Sequence, residues 1–329
     1  MRDRHVVLRA VVLAVGLLLL AHPAAADPAG PTNYRSSVAA VDAPTDGVRA
    51  QVIGGDAFLV VRAEGAEVLV PGYDGEPYLW FAPDGTVSIN DRSPARWLND
   101  GRYGAQDVDV PATADSQAPP RWREVADDGI YAWHDHRIHY MAPTVPRTVD
   151  PDHAAEQRVF DWQVPIVVDG QPATIRGTLT WVPSPSPVVG IGTVLAAALV
   201  IALVTRTRRA WATPAVAAGG GVTLVAGAGL QWGLPPGAAG DATLIALPLA
   251  ALGLAAVAAI ARRCAPAGRW IIALAAVPLA VWGLLVASAL VRPIVPGIFA
   301  PPVVRAAVIL AFIAAGIAMA APFAARRST

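Results

Sequence analysis

From Val188 onward the chain is almost continuously apolar, and this feature decides most of what it can fold into. About 20 helical residues cross the roughly 30 Å hydrocarbon core of a bilayer. Five stretches approach that length: 188–205, 212–233, 242–261, 270–291 and 306–324. None contains Asp, Glu, His, Lys or Arg. Proton relays and ion pathways are normally built from such side chains, so a carboxylate-driven transporter or a haem protein is disfavoured. Alanines and glycines such as Gly219, Gly220, Gly221 and Gly227 permit close helix contact instead. Pro248 and Pro278 are candidate kinks. Arg206, Arg208, Arg209, Arg262, Arg263, Arg269, Arg326 and Arg327 fall on one side of the spans, and only Arg292 and Arg305 on the other. By the positive-inside rule the arginine-rich side, with the C-terminus, is cytoplasmic.

The rest of the chain has another solvent in mind. Residues 27–187 hold 23 Asp and Glu against 12 Arg, so 23 − 12 leaves a charge of −11. That disfavours nucleic acid as a partner and favours cations. Arg2, Arg4 and Arg9 precede the apolar run Ala10 to Ala21, and His22-Pro23 leads into Ala24-Ala25-Ala26, the pattern of a secretory signal peptide over 1–26. An uncleaved first membrane helix is the rival reading. The signal peptide and the arginine bias agree in placing residues 27–183 outside the plasma membrane. The single cysteine, Cys264, excludes an intramolecular disulfide and cysteine-based metal sites.

Within 27–183, short β-prone runs alternate with turn chemistry such as Gly54-Gly55-Asp56, Pro83-Asp84-Gly85 and Asp169-Gly170. This spacing predicts an all-β sandwich or barrel. Residues 90–120 lack periodicity and read as a long loop, and Asp127-Asp128-Gly129 reads as a hairpin turn. Phe160, Trp162, Leu179 and Trp181 are expected in the core, because aromatic and aliphatic side chains bury the most apolar area. Pro183-Ser184-Pro185-Ser186-Pro187 gives a stiff linker over 184–187, ahead of a membrane domain over 188–329.

The chemistry-bearing stretch is Trp133-His134-Asp135-His136-Arg137-Ile138-His139-Tyr140-Met141. It holds three of the six histidines; His5 and His22 lie in the leader, and His153 stands a little further on. As a strand, the stretch would put His134 and His136 on one face and Asp135, Arg137, His139 and Met141 on the other. A bulge between Arg137 and His139 would turn His139 and Met141 toward the first pair. As a helix, His136 and His139 would be neighbours, but the alternating Trp, Ile and Tyr favour a strand. The competing account is a packed Trp133 with imidazoles that hydrogen-bond at a sheet rim. Imidazole and thioether donors suit copper or zinc. The candidate ligands are His134, His136, His139, Met141 and His153, with Asp135 orienting an imidazole from behind.

The leader, the acidic β domain with Trp-His-Asp-His-Arg-Ile-His and the helical tail together resemble membrane proteins of high-GC actinobacteria, a likeness that brings no established activity. More locally, the hairpin Val167-Val168-Asp169-Gly170-Gln171-Pro172 to Gly177-Thr178-Leu179-Thr180 is similar to the last hairpin of CopC-type copper-resistance domains. That resemblance implies an immunoglobulin-like sandwich followed by membrane helices. The family's copper ligands are a histidine at the mature N-terminus and one in an Asp-Gly-His-Pro turn. Here Asp27 and Gln171 stand at those places, so the resemblance carries a fold rather than a ligand set.

The expected architecture is therefore an extracytoplasmic, immunoglobulin-like β-sandwich followed by an all-α bundle of five transmembrane helices. The leading function is membrane-anchored handling or sensing of a metal, copper first and zinc second. The alternative is a cell-envelope protein-interaction module that uses the aromatic segment 72–81 with Tyr73, Tyr78 and Trp80. In that segment, core packing is the competing account of Trp80. A hydrolase with Asp135 or Glu156 as general base ranks last, since no nucleophile elbow, Walker loop or H-E-x-x-H helix occurs. Membrane lipid is an expected neighbour, and no small-molecule substrate is identified.

Overall fold

A computed structural model describes residues 29–100, 108–142, 144–150, 154–207, 211–235, 238, 240–261 and 267–322. The leader 1–26, His153 and Cys264 lie outside the described residues. Two compact units are present, a β unit that runs to Pro183 and a helical unit that starts at Ser184.

The β unit has ten strands: β1 (Tyr34–Asp42), β2 (Val48–Ile53), β3 (Phe58–Ala63), β4 (Val68–Pro71), β5 (Pro77–Phe81), β6 (Val87–Asn90), β7 (Trp122–Ala126), β8 (Ile130–Trp133), β9 (Gln157–Val168) and β10 (Gln171–Trp181). They form a seven-stranded antiparallel sheet, β1-β10-β9-β4-β5-β6-β7, and a three-stranded one, β2-β3-β8. The two sheets share one core. Leu59 and Val61 from the small sheet and Val68, Phe81, Val87, Val164, Ile175 and Leu179 from the large one are all wholly buried. The 2.0-residue period does this: alternate residues of β10, from Ala173 to Trp181, are buried and their neighbours are not. Trp162, Leu179 and Trp181 are buried as expected, and Phe160 packs against the core from its rim.

One strand was not foreseen and two expectations need correction. β1, built on alternating small residues, pairs along its length with β10. The stretch 90–120 is not wholly loop, for it contains α1 (Pro94–Leu98), with Pro at its first position where a missing N–H costs nothing. Asp127-Asp128-Gly129 is no hairpin: β7 pairs with β6 while β8 pairs with β3, so the turn carries the chain between sheets. Gly129 makes that passage possible. Its φ is +71°, its N–H donates to the Gly85 carbonyl at 2.7 Å, and a Cβ there would lie 2.5 Å from the Ala63 oxygen.

The helical unit comprises α2 (Pro187–Thr207), α3 (Ala212–Trp232), α4 (Thr243–Ala261), α5 (Ala267–Leu274), α6 (Ala276–Leu285), a 3₁₀ turn (Ala287–Leu290) and α7 (Pro301–Ala320). Among the described residues, four helical stretches are long and apolar enough to cross a membrane: Ala212–Trp232, Thr243–Ala261, Gly268–Leu285 and Pro301–Ala320. The stretch read as one span over 270–291 is interrupted at Ala275. Pro278 explains the break, since its ring excludes the carbonyl four residues back. Pro248 leaves α4 continuous but deprives the Leu244 carbonyl of its helical donor. The indole N–H of Trp282, wholly buried, donates to that carbonyl instead at 3.1 Å. Gly227 lies against the same carbonyl; a Cβ there would sit 2.2 Å from the oxygen. Small-residue packing and an indole donor together satisfy the carbonyl that Pro248 leaves without its helical partner. The last helix begins earlier than expected and so includes Arg305, which donates to the carbonyls of Ala289 and Arg292 at 2.9 Å each.

Candidate functional site

β8 delivers the histidine segment and stops at Trp133, whose partner across the ladder is Leu59. Trp133 is buried, with Tyr78 edge-on and Tyr131 near-parallel, each 6.5 Å away between ring centroids. The segment beyond it is not a strand. A turn closes where the Ile138 N–H donates to the Asp135 carbonyl at 3.1 Å. The side chain of Asp135 reinforces the turn by accepting the Arg137 backbone N–H at 3.0 Å, the local bond that Asp makes two residues on.

Asp135 is the hub. It is wholly buried, and a buried carboxylate without donors would be costly. Here Oδ1 accepts from Arg137 Nε at 2.7 Å and Oδ2 from Arg137 Nη2 at 2.6 Å, a two-pronged ion pair. Oδ2 also accepts the Trp133 indole N–H at 2.8 Å. Arg137 Nη1 donates to the Pro71 carbonyl at 3.3 Å, and the guanidinium lies over the Tyr73 ring at 5.3 Å. Burial alone would make Arg137 easier to deprotonate, but the Asp135 carboxylate more than reverses this and holds its pKa above the ordinary value.

Asp135 was expected to orient an imidazole; its carboxylate bonds run to Trp133 and Arg137. It holds the turn through Trp133 and Arg137. Glu156, offered as a base, forms an exposed ion pair with Arg35.

The turn brings the three histidines together. The ring centroids of His134 and His139 lie 6.2 Å apart and those of His139 and His136 5.5 Å apart, with interplanar angles of 29° and 26°. The file continues at both ends. Phe58 lies 4.5 Å from His134, and Tyr73 stacks on His136 at 5.5 Å and 17°. His139 thus joins the pair from which strand alternation would have separated it, by a turn rather than by a bulge. His134 and His139 are 4% and 1% exposed, whereas His136 is half-buried. Met141 follows, also half-buried. Among the described residues no three His, Cys, Asp or Glu side chains converge tightly enough to hold one ion.

Two other segments frame the file, and neither was singled out for this role. Tyr73, on the turn between β4 and β5, accepts the His136 backbone N–H at 2.9 Å and donates its hydroxyl to Asn99 Oδ1. Burial, with the Asp135 charge added, raises the Tyr73 pKa far above the ordinary phenol value, so it stays a donor. Asn99 caps the end of α1, which accounts for the helix inside the supposed loop. The signal for both was available in part: the G-Y-D-G turn and the S-P-A-R-W-L-N pattern of a short helix with Pro at its start.

The aromatic segment does not form one surface. Tyr78 is 2% exposed and belongs to the core. Trp80, between the wholly buried Leu79 and Phe81 and so facing away from them, packs 6.0 Å from Trp122 and donates its indole N–H to Glu67 at 2.9 Å. Apolar alternation pointed to core packing for Trp80, yet its side chain lies on the outer face. No family model, no curated protein and no solved structure matches this chain.

Proposed function

We propose that this chain is a membrane-anchored, extracytoplasmic metal-handling protein, with copper as the first candidate ion and zinc as the second. The observation that carries the reading is the file of imidazoles: the only three histidines of one short segment lie ring to ring, two of them buried, on a turn held by an internal ion pair. Imidazole is the common protein donor for both ions. Excess acidic charge on residues 27–187 raises the local concentration of cations around the domain. Orientation follows from the distribution of arginines between the spans, and α2, with 21 residues, stands as the fifth span of the bundle. Two antiparallel sheets on one core, closed by the β9–β10 hairpin, support an immunoglobulin-like sandwich.

The test is a titration of the full-length protein in detergent with Cu(I), Cu(II) and Zn(II), beside a variant with His134, His136 and His139 all changed to Ala. Stoichiometric binding that the triple variant loses is the expected result. Equal binding by both proteins, or binding by neither, overturns the proposal.

A further inference from the structure

Three guanidiniums converge where β6 ends and β7 begins. Asp91, whose side chain is only 15% exposed, has Arg123 Nε at 3.1 Å and Arg96 Nε at 3.3 Å on Oδ1, and Arg121 Nη2 3.6 Å from Oδ2. The strands hold this arrangement. The Asp91 N–H donates to the Arg121 carbonyl at 2.9 Å, and the buried Asn90 side chain accepts the backbone N–H groups of Arg92 and Arg121 at 3.0 and 2.8 Å. Arg96 comes from α1, lies over the Trp97 ring at 4.1 Å and reaches Asp100 at 3.4 Å. From β8, Tyr131 comes within electrostatic reach of Arg123, Arg96 and Asp100. We propose that Arg96, Arg121, Arg123 and the Tyr131 hydroxyl form a binding site for the phosphate group of a monoester or diester, a site that does not depend on the histidines.

Surplus charge is the first support. Three arginines face two carboxylates, Asp91 and Asp100, so 3 − 2 leaves one positive charge. Arg92 adjoins them, with its guanidinium on the Pro119 carbonyl at 3.1 Å. Of the neighbouring acids, Asp115 gives a carboxylate oxygen to the Gln117 N–H, and Glu124 lies on the other face of β7 from Arg123. A positive patch therefore stands on a strongly acidic domain. At Asp91 the guanidiniums outweigh burial and hold the carboxyl below its ordinary pKa, as a positive local field requires. Unused donors are the second support. Arg123 spends Nε on Asp91 and keeps both terminal nitrogens, while Arg121, 71% exposed, has a single contact at 3.6 Å. Among the described residues no hydrogen bond uses the Tyr131 hydroxyl. Burial raises its pKa in spite of the two guanidiniums, so the phenol remains a donor. A carboxylate fills one guanidinium fork, whereas a phosphate has three or four oxygens and accepts from several donors at once.

The test titrates the full-length protein, in a non-ionic detergent at low ionic strength, by isothermal calorimetry. Inorganic phosphate, phenyl phosphate and glycerophosphoglycerol are the probes; the second stands for a soluble monoester and the third for the headgroup of a membrane diester. One saturable site per chain is expected, with a Kd of about 0.1–1 mM for the preferred probe, and the tighter of the two esters names the source. Arg121→Gln weakens binding about 10-fold, and its exposure leaves the fold intact. Arg123→Lys keeps the charge but loses the fork, and with Tyr131→Phe it weakens binding by roughly 3-fold to 10-fold. Arg158→Gln, at an exposed ion pair on β9, changes nothing. No saturable binding of any probe, or losses in Arg158→Gln equal to those in Arg121→Gln, overturns the site. Tighter binding of acetate or of a hexaglutamate peptide than of every phosphate overturns the choice of ligand.

Discussion

Replacing Arg137 with Ala tests the claim that one ion pair builds the site. The substitution leaves Asp135, fully buried, with only the Trp133 indole and a backbone N–H as donors. Removing one partner of a buried pair costs about 3–5 kcal/mol. The Arg137 side chain is 19% exposed, so water relieves part of that, and about 3 kcal/mol is the expected loss. For a domain of this size each kcal/mol moves the midpoint by roughly 2–4 °C, which predicts a fall of about 6–12 °C. Urea and thermal unfolding of residues 27–183, followed by near-ultraviolet circular dichroism, measure it, since this unit has its own core. Asp135→Asn and the double variant complete a cycle, and the coupling should exceed about 1 kcal/mol. Arg158→Ala, at an ion pair with side chains 65% and 52% exposed, is the control and should cost less than about 0.5 kcal/mol. An Arg137→Ala loss under about 1 kcal/mol, or an additive cycle, would refute the idea that this pair holds the turn.

Three further outcomes follow from the same structure. Asp91 accepts from Arg123 and Arg96 and faces Arg121; burial works against its charged form, but these guanidiniums outweigh it and depress its pKa. A depressed carboxylate stabilises the fold above its unfolded value and loses that contribution as pH falls through the folded one, so Asp91→Asn should destabilise at neutral pH, and the gap from wild type should start to close as pH falls below about 4 in a pH series of urea midpoints. Trp282→Phe strands the Leu244 carbonyl inside an apolar unit and should cost about 1–3 kcal/mol in detergent unfolding, while Trp232→Phe, at an indole 74% exposed, should change little. Gly129→Ala forces a side chain into a positive-φ position against the Ala63 oxygen and should cost more than about 1 kcal/mol by thermal melting, an expectation that a neutral result would contradict.

What the sequence made legible, and what it hid, divides along physical lines. Hydropathy needs only a local average, so apolar helices after a β domain could be read directly from the chain. Strand alternation likewise revealed β9 and β10, where buried and exposed residues take turns. β1 was hidden because Ser36, Ser37, Ala39 and Ala40 give almost no contrast between faces; its pairing with β10 is a tertiary fact. The interrupted helix at Ala275 was legible as Pro278, but the donor that answers the carbonyl freed by Pro248, Trp282, lies far along the chain. At the site, the histidines stood out by density alone. Their geometry did not, because it rests on Asp135 folding the segment back instead of lying in a ladder, and on Tyr73 and Asn99 arriving from elsewhere.

The ring file has unequal ends, and this sets how anything reaches it. At one end Phe58 is 6% exposed and covers His134, at 4%, with His139 behind at 1%. At the other, His136 and Tyr73 are half-buried and stack on each other. Under the metal-handling proposal, an ion from solvent would meet the half-buried His136 before the buried His134 and His139. Tyr73 makes that outer end firm, since its hydroxyl is committed to Asn99 and to the His136 backbone while its ring carries the Arg137 guanidinium. The same residues that fix the turn thus fix the entrance. Under the metal-handling proposal, Tyr73→Phe should change the rate of metal uptake in stopped-flow mixing more than the affinity at equilibrium, whereas Arg137→Ala should change both.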